Sequence, residues 1–361
     1  MTLYYFHLWN NYSGSSVVLG QVIDSLKTSN LFDETILVTS KDDGPLSHAP
    51  CKKRRLYVYK GGSKLLRKLA FFYSSLFQLG FILLMTKKCD VLYFNTHLYA
   101  PLVLIVRRLR PRIVWHLHED ISRESWINKL VRSMNLSRIN IISVSEYATA
   151  VLDQSNVDIV PNFFDTGLER SARSKDTILF VGSTAYYKGF EVFINLAKCL
   201  PNVKFQAVLS DMQTRFIVPD NLDVVVRPKN IAPYYERAIV TLNLTNPDLV
   251  RETFGMTILE AIRRDCAVLY PAFGGIAETF NSYEFSFPCR NPWNVEEVKS
   301  IIEYISKVDS SSIAFAAEKF LLNVDEMKTQ QSLLHVANEI LLQIGFRSIR
   351  HQISFLQTIL E

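Results

Sequence analysis

Short runs rich in β-branched and aromatic residues recur along the chain, separated by stretches in which apolar residues return every three to four positions. In the first half the short runs are TLYYFHLW, ETILVTS, RLYVYK, DVLYFNT, RIVWHLHE, INIISVS and VDIVPN. Helical periodicity lies between them over Val17–Leu26, Ser63–Met85, Leu98–Leu109 and Ser125–Leu136. The second half repeats the scheme with TILFVGS, VKFQAVLS, LDVVVRP, IVTLNLT, CAVLYP and EFSFP. Its helices are expected over Gly189–Leu200, Ala232–Ala238, Phe254–Asp265 and Val295–Val308, with segments 310–345 and 346–361 helical as well. Strands alternating with helices predict parallel sheets covered on both faces. Two such sets, with a break near Pro161–Lys175, predict an α/β protein of two Rossmann-like domains, 1–162 and 163–345, facing one cleft. The amphipathic segment 346–361 is expected to return to the first domain.

Ligands of such sheets bind at the carboxyl ends of the strands, so the strand-to-helix loops are where chemistry is expected. The first is Asn10–Ser16, NNYSGSS, whose small residues, Gly14 and Ser15 among them, let a backbone approach a ligand. It is not a G-x-G-x-x-G loop, so dinucleotide binding has no support. The second is FVGSTAYYKGF, in which Gly182 and Ser183 end a strand and Lys188-Gly189 opens a helix. A lysine beside a helix N-terminus meets a positive dipole end, so an anion is expected between them. The third is RETFGMTILE, Arg251–Glu260, with Glu252 ahead of a helix and Glu260 inside it. Two carboxylates so placed can each accept a pair of hydroxyls, from a hexose and from a ribose. The amides of Gly255, Met256 and Thr257 suit a diphosphate.

Composition narrows the classes. Of 361 residues, 48% are hydrophobic and 21% charged, a globular balance that excludes disorder and fibrous repeats. Five scattered cysteines without a C-x-x-C pair argue against a disulfide scaffold and a zinc site, and for a reducing compartment. Met1–Trp9 reads as a strand rather than a signal peptide, so the chain is expected in the cytosol.

Charge is uneven. Residues 1–165 carry 20 basic and 13 acidic side chains, a net +7, against −2 for the remainder. Residues 51–112 hold 14 basic side chains and one acid, Asp90. That surface predicts an anionic partner, nucleic acid or a membrane leaflet. Within it lies Leu65–Met85, LLRKLAFFYSSLFQLGFILLM, flanked by Lys52–Arg55 and Lys87–Lys88. Arg67, Lys68, Ser74, Ser75 and Gln78 make it a poor membrane span, of which about 20 apolar residues are required. It suits a helix lying in the interface, with a buried core helix as the alternative. No nucleic-acid module accompanies the basic stretch, so nucleic acid is not expected.

These motifs together resemble the retaining glycosyltransferases of family 4, whose fold is GT-B. The resemblance covers most of the chain and is strongest in the second half. ETFGMTILE, Glu252 to Glu260, stands where that family has E-x7-E, and Gly274-Gly275 through Glu278 matches its GGxxE. Val160, Pro161, Asn162 and Asp165 match V-x-N-x-x-D, and Gly182 with Lys188-Gly189 resembles GR-x-x-x-x-KG. Ser13-Gly14 sits at the GG pair, His118 at the active-site histidine, and Val144 to Glu146 at V-S-E. The chain departs from the family at Ser183, where an arginine is usual, and at Ser13, the first glycine of the pair. Arg251 or Arg227 could supply the missing cation.

The resemblance implies roles. His118 and Glu252 are the expected catalytic residues. Gly14, Ser15, Gly182, Ser183, Lys188, Glu252, Phe254, Gly255, Met256, Thr257 and Glu260 are expected to bind the donor. Lys188 would hold the diphosphate, Glu252 the sugar hydroxyls and Glu260 the ribose. Neither metal nor cofactor is implied; the nucleotide-diphosphate sugar is itself the substrate. Set beside the basic, apolar first domain, this predicts transfer to a glycan or lipid-linked acceptor in bacterial-type surface polysaccharide (O-antigen or capsule) synthesis. The enzyme would lie peripherally at the inner face of the membrane. A non-catalytic GT-B scaffold and a nucleotide-sugar epimerase are the alternatives. On the residues alone, His118 and His116 both remain candidates for the inward position, and a helix cap is the alternative role for Glu278.

Overall fold

A computed structural model of the chain describes residues 1–28, 31–56, 63–110, 112–137, 139–153, 157–162, 175–213, 216–323 and 335. Asp165, the side chains of Arg67 and Lys68, and the helix expected over 346–361 lie outside the described residues. Two compact units form: Met1–Ser143 with Val151–Val160, and Val144–Ala150 with Pro161–Glu326.

The first unit is built on a parallel sheet of β1 (Thr2–Phe6), β2 (Glu34–Ser40), β3 (Lys52–Leu56), β4 (Val91–Phe94), β5 (Ile113–Leu117), β6 (Asn140–Ser143) and β7 (Val157–Ile159). Their order is β3-β2-β1-β4-β5-β6-β7. The chain therefore leaves β1 in one direction and resumes beside it with β4, which makes the β1/β4 boundary a topological switch point. Helices α1 (Gly14–Thr28), α2 (Lys64–Met85), α3 (Ala100–Val106) and α4 (Trp126–Ser133) connect the strands. Every residue of β4 and β5 is buried, as expected for strands covered on both faces. β3 differs: its sequence is KKRRL and four of its five side chains are not buried. It is the sheet edge, where lysine and arginine discourage further pairing.

The second unit repeats the order as β10-β9-β8-β11-β12-β13, with β8 (Thr177–Gly182), β9 (Lys204–Leu209), β10 (Leu222–Val226), β11 (Ala238–Leu242), β12 (Ala267–Pro271) and β13 (Ser286–Cys289). Helix α5 (Glu146–Thr149) belongs to this unit, followed by α6 (Phe190–Cys199), α7 (Ala232–Arg237), α8 (Met256–Ile262), α9 (Gly275–Phe280), α10 (Val295–Ile305) and α11 (Ser310–Asn323). Along β8 the side chains alternate between two cores: Leu179 joins one, and Ile178 with Phe180 the other. A sheet with two dry faces gives the unbroken apolar runs seen in the sequence. Its switch point lies between β8 and β11.

Two helices that carry expected site residues differ from expectation at their starts. α1 begins at Gly14, so Gly14 and Ser15 lie in its first turn rather than in a loop. α8 begins only at Met256 and ends at Ile262. Phe254 ahead of it is buried edge-on against Phe280, and Asp265 beyond it adopts a positive φ of 57°.

α2 packs on the core through Phe71, Leu79, Phe81 and Ile82, with two polar side chains among them. Ser74, Gln78 and Ile82 are buried at successive turns, whereas Leu66, Leu69, Phe72, Tyr73, Leu76 and Phe77 are all at least half exposed. The alternative of a buried core helix does not hold for this face. Neither amide atom of Gln78 has a hydrogen-bond partner among the described residues. A buried polar group left unpaired costs about 1–3 kcal/mol, so Gln78→Leu should raise the stability of the protein by about that amount. Urea titrations in which this variant unfolds at the parent midpoint, or below it, would show that Gln78 is satisfied.

Candidate active site

In the second unit the lysine-to-helix paradox resolves within the chain. Lys188 Nζ donates to Glu252 Oε1 at 2.5 Å, and the same oxygen accepts from Thr245 Oγ1 at 2.8 Å. Thr245 and Asn243 follow β11, and Lys188 follows β8, so the pair sits at the switch point. The side chains are 27% and 19% exposed, shielded from water but not sealed from it. Burial pushes the Glu252 carboxyl up, but the Lys188 charge and hydrogen bonds from Lys188, Thr245 and Asn243 outweigh it and hold it below the usual carboxylate range. Burial likewise pulls the Lys188 ammonium down, and the Glu252 charge outweighs that. Both groups are charged at neutral pH. Thr245 and Asn243 were not legible as site residues, because they belong to the simple polar/apolar alternation of residues 241–245.

The backbone around Glu252 is fixed by the two glycines of GGxxE. Glu252 bridges to Gly274 in parallel register. Gly274 has a φ of +99°, and a Cβ there would stand 2.5 Å from the Glu252 carbonyl oxygen. At Gly275 a Cβ would collide with the Thr253 carbonyl and with Ser145 Oγ. Glu278 is indeed a cap, of a helix whose first residue, Glu146, is 132 positions away in sequence. Its two oxygens accept the amides of Glu146 and Tyr147 at the start of α5, each at 2.8 Å. Ser145 Oγ adds a bond to the Thr253 carbonyl at 2.7 Å. The V-S-E and GGxxE segments are thus one structural assembly beside Glu252.

Gly255 caps α8, and Met256 and Thr257 form its first turn. Phe254, expected to face the donor, is 3% exposed and its side chain belongs to the core. Glu260 lies within α8 and accepts the Tyr235 hydroxyl at 2.5 Å. Burial raises its carboxyl to about 7, against the opposing effects of Tyr235 and Arg264. Gly182 ends β8, and Ser183 Oγ accepts the Ala185 amide at 3.4 Å. Asp211 holds the same loop through the Thr184 amide at 3.0 Å and hydroxyl at 2.6 Å. Of the two arginines named as replacements for the missing one, Arg227 donates to the Ser210 carbonyl at 2.5 Å and Arg251 approaches the Tyr147 hydroxyl at 3.5 Å.

In the first unit the strand ends at the β1/β4 switch carry a buried polar cluster. His118 follows β5 and is half-buried, whereas His116 is 1% exposed and meets the Tyr93 hydroxyl through Nδ1 at 2.7 Å. The two imidazoles are neighbours, ring centroids 4.0 Å apart. Asn95 joins His118, His7 and the Ser15 carbonyl. Glu119 accepts from Thr96 Oγ1 at 2.5 Å and from the amides of His97 and His118 at 3.1 and 3.2 Å. Burial would raise its carboxyl, but His97, His118 and Thr96 lower it to about 2. Glu119 is therefore an ionised anchor for two strand ends. Burial pulls His7 and His118 down to about 4. Neutral imidazoles suit hydroxyl recognition rather than anion binding.

Among the described residues no group of three or more His, Cys, Asp or Glu side chains could hold a metal ion. No protein-family model and no curated protein matches the chain. Solved structures do. The HepE protein of Anabaena in complex with UDP is similar at 14% identity over 94% of this chain and 100% of its own, with a TM-score of 0.72. A glycosyltransferase from Rickettsia africae is similar at 14% over 94% and 98%, TM-score 0.69. WaaG, a glycosyltransferase involved in lipopolysaccharide biosynthesis, is similar at 12% over 94% and 99%, TM-score 0.66. At these identities the likeness is one of fold: the chain has the GT-B fold, with a parallel α/β sheet in each of two domains.

Proposed function

We propose that the protein is a retaining glycosyltransferase that moves a sugar from a nucleotide-diphosphate sugar to a glycan acceptor. The observation that carries this reading is the Lys188–Glu252 pair at the second switch point, beside the amides that open α8. A donor diphosphate offers Lys188 a stronger anion and frees the Glu252 carboxylate for sugar hydroxyls. Gly255, Met256 and Thr257 then supply amides to the diphosphate, with Gly182 and Ser183 lining the loop beneath it. Glu260, held by Tyr235, takes the ribose. In the other unit Gly14, Ser15 and His118 serve the phosphate and sugar. Stabilisation of the leaving diphosphate by lysine and helix amides needs no metal and no cofactor. The solved HepE structures with UDP and with UDP-glucose support a nucleotide sugar as donor.

The exposed apolar face of α2 and the basic residues that flank it in sequence support an acceptor presented at a membrane. No helix among the described residues is long and apolar enough to cross one. A lipid-linked glycan intermediate of surface polysaccharide synthesis fits an enzyme lying peripherally on the inner leaflet.

Release of free nucleoside diphosphate from a panel of nucleotide sugars, with and without a lipid-linked glycan acceptor, tests the reading. Acceptor-dependent release, a product with the donor's anomeric configuration by NMR, and activity that survives a chelator are expected. Absence of release from every donor would point to a scaffold, and a changed sugar still attached to its nucleotide to an epimerase. An inverted anomer or loss of activity in chelator would overturn the retaining or metal-independent parts.

A further inference from the structure

Tyr235 and Glu260 stand on two short helices of the second unit, α7 and α8, and the hydroxyl-to-carboxylate bond between them is 2.5 Å long. α8 closes in a tight turn at Asp265, whose amide meets the Ile262 carbonyl at 3.0 Å while the Cys266 amide meets the Ala261 carbonyl at 3.1 Å. That turn satisfies two of the last helix carbonyls and leaves the Arg264 carbonyl outside its pattern. Lys175, two residues ahead of β8, reaches the ends of both helices. Its Nζ lies 2.6 Å from the Arg264 carbonyl oxygen beyond α8 and 3.1 Å from the Ala238 carbonyl oxygen beyond α7. The carbonyl oxygens of Glu236 and Tyr235 follow at 3.4 and 3.5 Å. Carbonyl oxygens only accept, so a cluster of four needs a donor at its centre. The Cys266 thiol lies among them too, 3.2 Å from the Tyr235 oxygen and 3.3 Å from that of Ala238, but 3.6 Å from that of Arg264. A thiol has one proton to give, whereas the lysine ammonium has three and spans both helix ends.

We propose that Lys175 is a positioning residue for recognition of the nucleotide ribose: its ammonium clamps the ends of α7 and α8 in the register at which the Tyr235 hydroxyl meets Glu260. This rests on the assignment of Glu260 to the ribose given above. Tyr235 is fully buried and donates to one oxygen of Glu260, Oε2. Ring and carboxylate are each fixed to their own helix, so the placement of one helix against the other aims the carboxylate. Arg264 extends the clamp. Its carbonyl is the one Lys175 holds most closely, while its guanidinium lies 5.8 Å from the centroid of the Tyr235 ring and donates to the Glu260 carbonyl at 3.3 Å. β8 pairs with β11, the strand that α7 leads into, which sets Lys175 beside the end of α7.

The experiment is a pair of double-variant cycles on the full chain. In the first, calorimetric titration measures binding of each of the common ribonucleoside diphosphates. Lys175→Met keeps the length of the side chain and removes its donors. It should weaken the tightest of these ligands about tenfold in the parent background, the effect of one hydrogen bond. In a Glu260→Ala background, where no carboxylate is left to aim, it should leave affinity unchanged. In the second cycle, urea unfolding without ligand, Tyr235→Phe should lower the midpoint of the parent more than that of Lys175→Met, because groups in one network couple. A lysine that merely stabilises the fold would give additive changes in both cycles. Additive losses of affinity overturn the proposal, as does parental affinity in Lys175→Met. Should the methionine variant not fold, Lys175→Gln, polar and one bond shorter, takes its place, and parental affinity in it overturns the proposal equally. If the parent binds no nucleoside diphosphate, the ribose reading of Glu260 fails, and the clamp stands or falls on the unfolding cycle, where additivity overturns it.

Discussion

Lys188→Met will remove about 2–3 kcal/mol of stability and at least a hundredfold of transfer activity. The two losses have different origins. The first arises because Glu252, bonded to Lys188 at 2.5 Å, is left as a shielded carboxylate without its cation, which is more costly than the pair itself is stabilising. The second arises because the donor diphosphate loses its ammonium. Glu252→Gln should show the converse, an unpaired ammonium and a sugar without its carboxylate. The double variant Lys188→Met/Glu252→Gln removes both charges and should recover a large part of the lost stability, since contacting residues couple by about 0.5–3 kcal/mol. It should recover none of the activity. Strictly additive destabilisation would show that the pair is not coupled. Parental turnover in either single variant would remove these residues from the site.

Acid sensitivity gives an independent reading of the same pair. A carboxyl held below its ordinary value takes up its proton at lower pH in the folded chain than in the unfolded one. The stability Glu252 contributes is thus complete above its unfolded value near 4.5 and is lost as pH falls through the lower folded value. Lys188→Met removes the charge that contributes most to that lowering, so the variant should lose less stability than the parent between neutral and acid pH.

Phe72→Glu combined with Phe77→Glu will detach the protein from anionic vesicles while leaving its thermal unfolding within about 0.5 kcal/mol of the parent. The two rings are 64% and 58% exposed, so the fold has little to lose by their replacement. A ring taken out of water contributes about 1.5–3 kcal/mol, and two such losses weaken binding by orders of magnitude. Replacing Lys52, Lys53, Arg54 and Arg55 by Gln tests the charge contribution separately. Each basic residue near an anionic surface adds about 1 kcal/mol, screened over roughly 8–10 Å in physiological salt. The quadruple variant should therefore bind anionic vesicles weakly at any salt, while the parent binds tightly at low salt and loosely at high salt. Transfer to a soluble acceptor analogue should survive in both variants, and transfer to a lipid-linked one should fall. Sedimentation of both variants with anionic vesicles as the parent does would leave α2 without a lipid role.

The sequence alone determined the alternation of strands and helices, because period-2 and period-3.6 apolar patterns are local properties of the chain. It also marked the glycines and glutamates of the second half, where residue type and spacing are unusual together. What it could not decide is which polar residues meet. Lys188 and Glu252 are 64 positions apart, and Glu278 and Glu146 are 132 apart. Only the strand order brings their loops together. His7 and Asn95, 88 positions apart, are neighbours because β1 pairs with β4 at the switch point. Periodicity placed a helix at α2 and left open which side of it packs. The fold turned Ser74, Gln78, Phe81 and Ile82 inward and left Phe72 and Phe77 outside. An apolar period reports that a helix has faces. Which face is dry depends on the neighbours that the sheet topology sets against it, and those neighbours are distant in the chain.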